Sequence, residues 1–499
     1  MSFGFTQIPN LLKVPGTYVE VEPGQMQGLP DVPEQILLIG QMLDSGSADP
    51  LTFRQITRKG QGFELFGAKS QLGAMCEAFR SANSFTPCVA IGVEDDDTAV
   101  HRIVNVTFEG TATGGGVLNF LVHGHRIPVS VSEGDDYEDV AENFEAAVNA
   151  HQYVAFTADT TTETDPDLAI TALTCVHGGV FANSLRVYLN YYQGESDAAP
   201  PGITVTIADD TAGTVDADYS DVIPLIGDEW YTAIVSGSTA TANLEALIAE
   251  CTRRYDASIM QDCFVYGCWN GNWTAMESLI SNPLDYNSQY LCRIAYEGLT
   301  VAPPTPAYQV ASVVAAIRAR EPDPARPIQT LQLPGVIAPK TGDRLTVPER
   351  DLLLKAGYST IVYVGNNAHA ERLVTSYLQN GSGLDDEYWR DLVVFLLIKA
   401  MRYTARAYMA SRYPRHKLGD DGTDYGPNQP VMTPALGTAE ALNIGKLWAQ
   451  RAWLENYETF RETAQAVRNE TDRNRLDMLL PPDLINQLRV IAIKLQPTL

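Results

Sequence analysis

The residues of this 499-residue chain that could do chemistry are seven histidines, seven cysteines and a strongly acidic stretch. His123-Gly124-His125 puts two imidazoles on alternating positions, which on a strand share a face and could ligate a metal, but no third ligand follows at metal-site spacing. His101, His151 and His177 lie in the same stretch, and only His369 and His416 lie elsewhere. Nucleophilic hydrolysis needs a nucleophile, a positioned base and an oxyanion donor. No Gly-x-Ser-x-Gly is present, and His369, after Asn366-Asn367, reads as the start of a helix behind a neutral cap. Carboxylate pairs are abundant because the stretch is acidic, so they carry little signal for acid–base work. Cys263 and Cys268 have no accompanying histidine or second pair; the cysteines read as reduced, mostly buried thiols. The run Gly110 to Gly116 lacks the Lys-Ser/Thr of a phosphate loop and reads as a hairpin. The segment Gly419 to Pro427 alternates carboxylates but lacks the ordered glycine and closing glutamate of a calcium loop, and reads as a polar loop. No catalytic residue, cofactor or metal site is expected.

Two other sets of residues point to assembly. A predicted helix over Asp386 to Arg412 carries acids early and bases late: Lys399, Arg402, Arg406 and Arg412, continuing into Arg415 and Lys417. This order suits the helix dipole, and it also offers a cationic face to an acidic partner. Near the C-terminus, Pro481-Pro482 stops regular structure. A run of high β-propensity follows, with Leu488, Val490, Ile491 and Ile493 supplying apolar side chains to both faces. Such a strand must be covered on both sides, in its own subunit or in a neighbour. Near the N-terminus, Tyr18, Val19 and Val21 belong to an alternating strand bracketed by Pro15-Gly16 and Pro23-Gly24, which reads as a second arm or as an edge strand of the first domain.

The elements that position these residues fall into a mixed α/β, multidomain order. Residues 1–24 are read as an extended arm and 25–97 as the first part of an α/β core, with strands at Gln35 to Gly40 and Cys88 to Val93 around a helix at Ser70 to Ala82. Strand, helix, strand implies a parallel pair. Residues 98–226 change to Thr/Gly/Val-rich β texture, with one helix at Tyr137 to Ala150, and are read as an inserted acidic outer domain. The core resumes over 227–384. Its helices are expected at Ala242 to Tyr255, Gln309 to Arg320 and Asn367 to Gln379, and Glu321 to Pro348 is expected as an extended surface loop. Residues 385–482 are read as a helical domain, including a helix over about Ala452 to Asn469, and 483–499 as the C-terminal strand arm.

Charge is unevenly placed. Of the net −26, Glu94 to Asp228 supplies most, with 24 carboxylates against three arginines and no lysine. A self-repelling acidic surface favours solubility and disfavours nucleic acid and anionic membranes. It is read as a solvated exterior, dispensable for assembly, or alternatively as a surface for a cation or basic partner. The longest apolar run, Leu392 to Ile398, is too short to cross a membrane, and the N-terminus lacks the marks of an export signal.

Several segments resemble one family. Arg475-Leu476-Asp477-Met478-Leu479-Leu480-Pro481-Pro482-Asp483-Leu484-Ile485-Asn486-Gln487-Leu488-Arg489-Val490 is similar to the ending of tail sheath proteins of phage Mu-like contractile tails. Gly67 to Met75 with Phe79 to Asn83, Glu349 to Thr360, and Glu371 to Tyr377 resemble further segments of that family, in order. Gly383 to Trp389 departs from its usual turn. The resemblance implies a subtilisin-like α/β core, a C-terminal helical domain next to the tail tube, and terminal strand arms. It implies a non-enzymatic subunit that polymerises around a tube and contracts to drive it through the host envelope. The implied partners are copies of itself, the tail tube protein, and baseplate and tail terminator proteins, with no direct nucleic acid contact and no membrane insertion. The implied location is the virion tail, assembled in the host cytoplasm. A degenerate hydrolase, or another capsid or secretion-system structural protein, are the alternatives.

Overall fold

The computed structural model describes residues 29–162, 168–191, 198–426 and 429–497. These form two compact units. The larger comprises residues 33–402 and 484–499; the smaller comprises 403–483 with the described residues 29–32. The predicted N-terminal arm residues Tyr18, Val19 and Val21 lie outside the described residues.

The larger unit begins with β1 (Ile36–Gln41), an unbroken apolar run buried along its whole length. The strand β2 (Phe53–Ile56) and the short helix α1 (Gln61–Phe66) follow. Helix α2 (Gln71–Ala82) starts where the Ser70 hydroxyl accepts from the Gly73 amide, and β3 (Cys88–Val93) runs parallel to β1. The chain then leaves the sheet. It makes β4 (His101–Gly110), β5 (Gly116–Val122), β6 (His125–Val131), α3 (Tyr137–Ala150), β7 (Phe156–Thr162), β8 (Leu168–Gly178), β9 (Val187–Leu189) and β10 (Ile203–Thr211). The sheet resumes after the short α4 (Val222–Ile226) with β11 (Ala233–Ser236), α5 (Thr241–Tyr255), β12 (Val265–Asn272), α6 (Trp273–Ile280), β13 (Leu291–Gly298), α7 (Ala307–Ala319), β14 (Leu331–Ile337), α8 (Val347–Lys355), β15 (Tyr358–Val364) and β16 (Asn367–Arg372).

Nine strands line up in the order β14-β16-β15-β13-β12-β11-β1-β3-β2. From β15 to β3 all neighbours are parallel, and the antiparallel pairs lie at the two edges. Central parallel strands must be covered on both faces, which is why they read as continuous apolar runs. Helix α7 is apolar almost all round; it packs on α2 and on β11, β12 and β14.

The segment 101–211 folds into two antiparallel sheets, β10-β4-β8-β7 and β6-β5-β9. Helix α3 starts at a reciprocal cap between Asp136 and Asp139. Its Phe144 meets Phe108 and Phe120 at ring distances of 5.6 and 4.2 Å. The segment is not set apart as expected, because its apolar core is continuous with that of the large sheet. Phe63 of α1 stacks on Tyr153 at 4.4 Å, the Lys69 ammonium donates to the Phe156 carbonyl at 2.9 Å, and the Gln71 amide donates to His177 Nε2 at 3.1 Å. Acidic side chains face water while the opposite faces of the same strands are apolar. Composition records the first and hides the second.

Three expectations are corrected. Asn367 to Arg372 is a strand and not a helix: Gly365 takes φ +60°, the Gly365-Asn366 turn joins Val364 to Asn367, and Ala368 and Ala370 alternate with His369 and Glu371 in period two. The surface-loop segment contains the edge strand β14, which tolerates Pro334 because an edge need not donate every N–H. The expected helix over 452–469 shortens to Tyr457–Thr463, because Ala452 and Asn456 take φ values of +54° and +51° ahead of it. After it, Gln465–Arg468 pairs antiparallel with Leu476–Leu479. The strand β8 gives a weak sequence signal because its buried positions include Ala169, Thr171 and Cys175 rather than large branched residues.

Helix α9 (Leu392–Arg412) belongs to the larger unit as far as Arg402 and to the smaller from Tyr403 onward, so the division falls inside the helix and not at residue 385. The rest of the smaller unit is built on α10 (Pro434–Gln450), with Thr433 as N-cap and Pro434 in the first turn. The short α11 (Tyr457–Thr463) crosses α10 at Gly445, where a Cβ would lie 2.1 Å from the Phe460 ring. Trp448 donates to Thr404 Oγ1 at 3.0 Å, and the Tyr408 hydroxyl donates to the Glu440 carboxylate at 2.6 Å.

Candidate assembly surfaces

The basic residues of α9 divide into two groups. Leu392, Val393, Phe395, Leu396 and Leu397 are buried, so this half of the helix is held inside the larger unit. Lys399 is 2% exposed, and its ammonium donates to Glu34 Oε1 at 3.2 Å. Burial lowers the Lys399 pKa, and Glu34 works against that. Burial would raise the Glu34 carboxyl, but Lys399 and Arg318 outweigh it and hold the group below its ordinary value. The Arg402 guanidinium donates to Asp262 at 2.7 Å and to the Tyr255 carbonyl at 2.9 Å, and lies 4.2 Å over the Tyr255 ring. Burial pushes the Asp262 carboxyl up to about 6 despite Arg402 and Lys399 beside it. Lys399 and Arg402 are therefore internal ties, and the expectation that they face a tube is withdrawn. Helical spacing places residues on one side of a helix, but what covers that side depends on segments far away in sequence.

Arg406, Arg412, Arg415 and Lys417 are exposed on the smaller unit. Arg412 lies 4.2 Å over the Tyr408 ring, which orients it without neutralising it. The polar loop at 419–426 uses its carboxylates locally: Asp421 accepts from the Ala435 amide at the start of α10, and Asp420 pairs with Arg468 at 2.7 Å.

The C-terminal segment differs from expectation in one respect. Residues 485–497 form no strand within this chain. Arg489 ties the segment down, donating to Asp391 at 2.8 Å and to Gln329 at 3.2 Å. Beyond it Val490, Ile491, Ile493 and Leu495 are 72–85% exposed, as is Leu488 at 66%. The residue types of a doubly buried strand are present, and none of the described residues buries them.

Among the described residues no group of three or more metal-binding side chains converges. His123 is not on a strand. It takes φ +54° in the β5–β6 turn, accepts from the Ala155 amide at 3.2 Å through Nδ1 and meets the Tyr308 hydroxyl through Nε2 at 2.5 Å. Burial pushes His123 down to about 3 and His125 to about 4, so both are neutral. His125 lines a cavity of about 550 Å³ with Phe63, Tyr153, Gln309 and Val313. Ser81 also lines it, but its hydroxyl donates to Glu77 on its own helix. His177 pairs with Asp95 at 2.8 Å, as a catalytic base would, but its other nitrogen accepts from the backbone amide of Gln71 instead of facing a hydroxyl nucleophile. His369 lies on β16 with Nδ1 3.1 Å from the Asn367 carbonyl.

Among the described residues the chain combines a nine-stranded α/β unit, a helical unit and an apolar C-terminal segment that is exposed. A family model for the central domain of phage tail sheath proteins matches residues 212–376. Over 500 aligned residues, 99% of each chain, the sequence is 30% identical to the Mu-like prophage FluMu tail sheath protein of Haemophilus influenzae. The chain belongs to the phage tail sheath family, the structural subunits of contractile tails. Among solved structures it is similar to a sheath tail protein of Desulfitobacterium hafniense, with 12% identity over 91% of this chain and 93% of that one and a TM-score of 0.47. It is also similar to the contracted PVC sheath complex of an extracellular contractile injection system, with 9% identity over 98% of both chains and a TM-score of 0.46.

Proposed function

We propose that this subunit polymerises into a helical sheath around a tail tube and that the sheath does mechanical work by passing from an extended to a contracted lattice. The observation that carries this reading is the C-terminal segment: Val490, Ile491 and Ile493 have the composition of a two-sided strand and are exposed in the single chain. Strand addition to a neighbour's sheet would supply main-chain hydrogen bonds and cover both faces. The N-terminal segment around Tyr18, Val19 and Val21 is assigned the matching role of a second arm. Arg406, Arg412, Arg415 and Lys417 are assigned to the tube contact. Each such exposed charge contributes about 0–1 kcal/mol, weak enough to break on contraction and sufficient in sum over many copies.

Work of this kind needs two packings of one sequence with a bias between them, and no bond-making step. We therefore assign the chain no catalytic activity and no cofactor, with baseplate and tail terminator proteins at the two ends of the lattice and assembly in the host cytoplasm. Negative-stain microscopy of the purified protein tests the reading. Long hollow cylinders are expected, and contraction of assembled tails should proceed without ATP and with chelator present. Monodisperse particles at high concentration, or closed shells, would refute it.

A further inference from the structure

All seven cysteines are buried thiols, and two of them are in contact. Cys251 lies in the second half of α5 and Cys263 just before β12. Neither has any exposed surface, and their sulfurs are 2.9 Å apart. Among the described residues no other two sulfurs are in hydrogen-bond contact; Cys292, for example, meets the Ser359 hydroxyl instead. A disulfide bond is about 2.05 Å long, so a movement of less than ~1 Å would join the two.

We propose that Cys251 and Cys263 are a disulfide-forming pair, oxidised by a small peroxide once the protein leaves a reducing compartment. One sulfur, as thiolate, attacks a peroxide oxygen; the O–O bond breaks, hydroxide leaves and takes a proton to become water, and a sulfenic acid remains. The second sulfur attacks the sulfenic sulfur, the S–O bond breaks, and a second water leaves. The two thiols lose two electrons in total and the peroxide gains them. Burial, with Cys263 beside it, raises the Cys251 thiol well above its ordinary value, so the reaction awaits transient opening and is slow.

The position gives the bond a consequence. The loop it closes carries Tyr255 and Asp262, the two residues that hold Arg402 on α9. The same loop is tied to the chain ahead of β11, where Trp230 donates to the Asp262 carbonyl at 3.1 Å and Gln261 to the Asp228 carbonyl at 2.6 Å. Joining Cys251 to Cys263 fixes covalently the loop that holds Arg402. A cross-link stabilises chiefly by restricting the unfolded chain.

The test uses the purified full-length chain, incubated for hours with hydrogen peroxide, then denatured in an alkylating reagent and digested with trypsin. Arg253 and Arg254 lie between the two cysteines, so cleavage there separates their peptides unless a disulfide joins them. The expected result is five alkylated cysteines out of seven and one linked pair of peptides containing Cys251 and Cys263, reversed by dithiothreitol. The oxidised protein should melt several degrees higher than the reduced, a difference retained in Cys88→Ser and lost in Cys251→Ala. Seven alkylated cysteines, a link involving another cysteine, or sulfinic acid at either position would overturn the assignment. A linked protein that melts no higher than the reduced one would overturn the claim that the bond secures the loop. Neither measurement depends on whether Cys251→Ala folds, because the parent protein supplies both.

Discussion

Arg402 reaches Asp262 at 2.7 Å from 140 positions away, while Arg406, one turn further along the same helix, is exposed. A single run of bases thus holds one residue that secures the helix and one available to a partner. Removing one member of a fully buried pair costs about 3–5 kcal/mol; here Arg402 is 20% exposed and Lys399 also lies near Asp262, so a smaller loss is expected. Arg402→Glu should lower the melting temperature and yield little soluble protein. Arg406→Glu, at an exposed position, should change stability by less than ~0.5 kcal/mol. It should still let sheaths form while favouring tube-free cylinders. Equal melting curves for the two variants would show that the Arg402 tie contributes nothing.

Glu297 provides a pH test. It is 4% exposed, and burial pushes its carboxyl up to about 8, with Arg350 working against the shift and Glu371 adding to it. The folded-state value lies above the unfolded one, so the folded protein binds the extra proton between the two values. The group's stabilising contribution is present at low pH and is lost as pH rises through about 8. Glu297→Gln removes that dependence. It should stabilise the protein at pH 8 relative to pH 5 by on the order of 2–4 kcal/mol more than the parent, followed by urea denaturation at both pH values. A constant difference across that range would mean that Glu297 is not held protonated by its site.

Truncation after Pro482 tests the arm. The shortened chain loses the Arg489–Asp391 ion pair, whose side chains are 15% and 13% exposed, so a modest loss of stability is expected and the fold should persist. Sedimentation should show soluble monomers under conditions where the parent forms cylinders. Cylinders built by the truncated chain would move the lattice contact elsewhere.

Excising residues 98–226 should unfold the rest, contrary to what its acidity alone suggests. Without it Tyr308, 3% exposed, loses its His123 partner, and the amide of Gln71 loses His177. Aggregated or protease-sensitive product is expected from limited trypsin digestion; a compact, resistant core would contradict the shared packing.

Much of the architecture was legible in the sequence. The run Ile36-Leu37-Leu38-Ile39 reads as a buried strand and is one, and the helix expected over Tyr137 to Ala150 has those bounds as α3. The motif-by-motif resemblance points to the family from residues alone. These signals are local: periodicity, caps, turn residues and short segments read within a window of about 20 residues. The remaining features required the tertiary structure. Lys399 meets Glu34 across 365 positions, and no local pattern distinguishes it from a solvated lysine on the same helix. Cys251 and Cys263 sit 12 apart without a motif, and become a pair because α5 turns back into β12. The acidic segment shows its charge in composition, whereas its apolar attachment to the large sheet appears only once β4 to β10 are folded. Residue types set what each side chain can do, and the chain's path determines which distant group it meets and whether water reaches it.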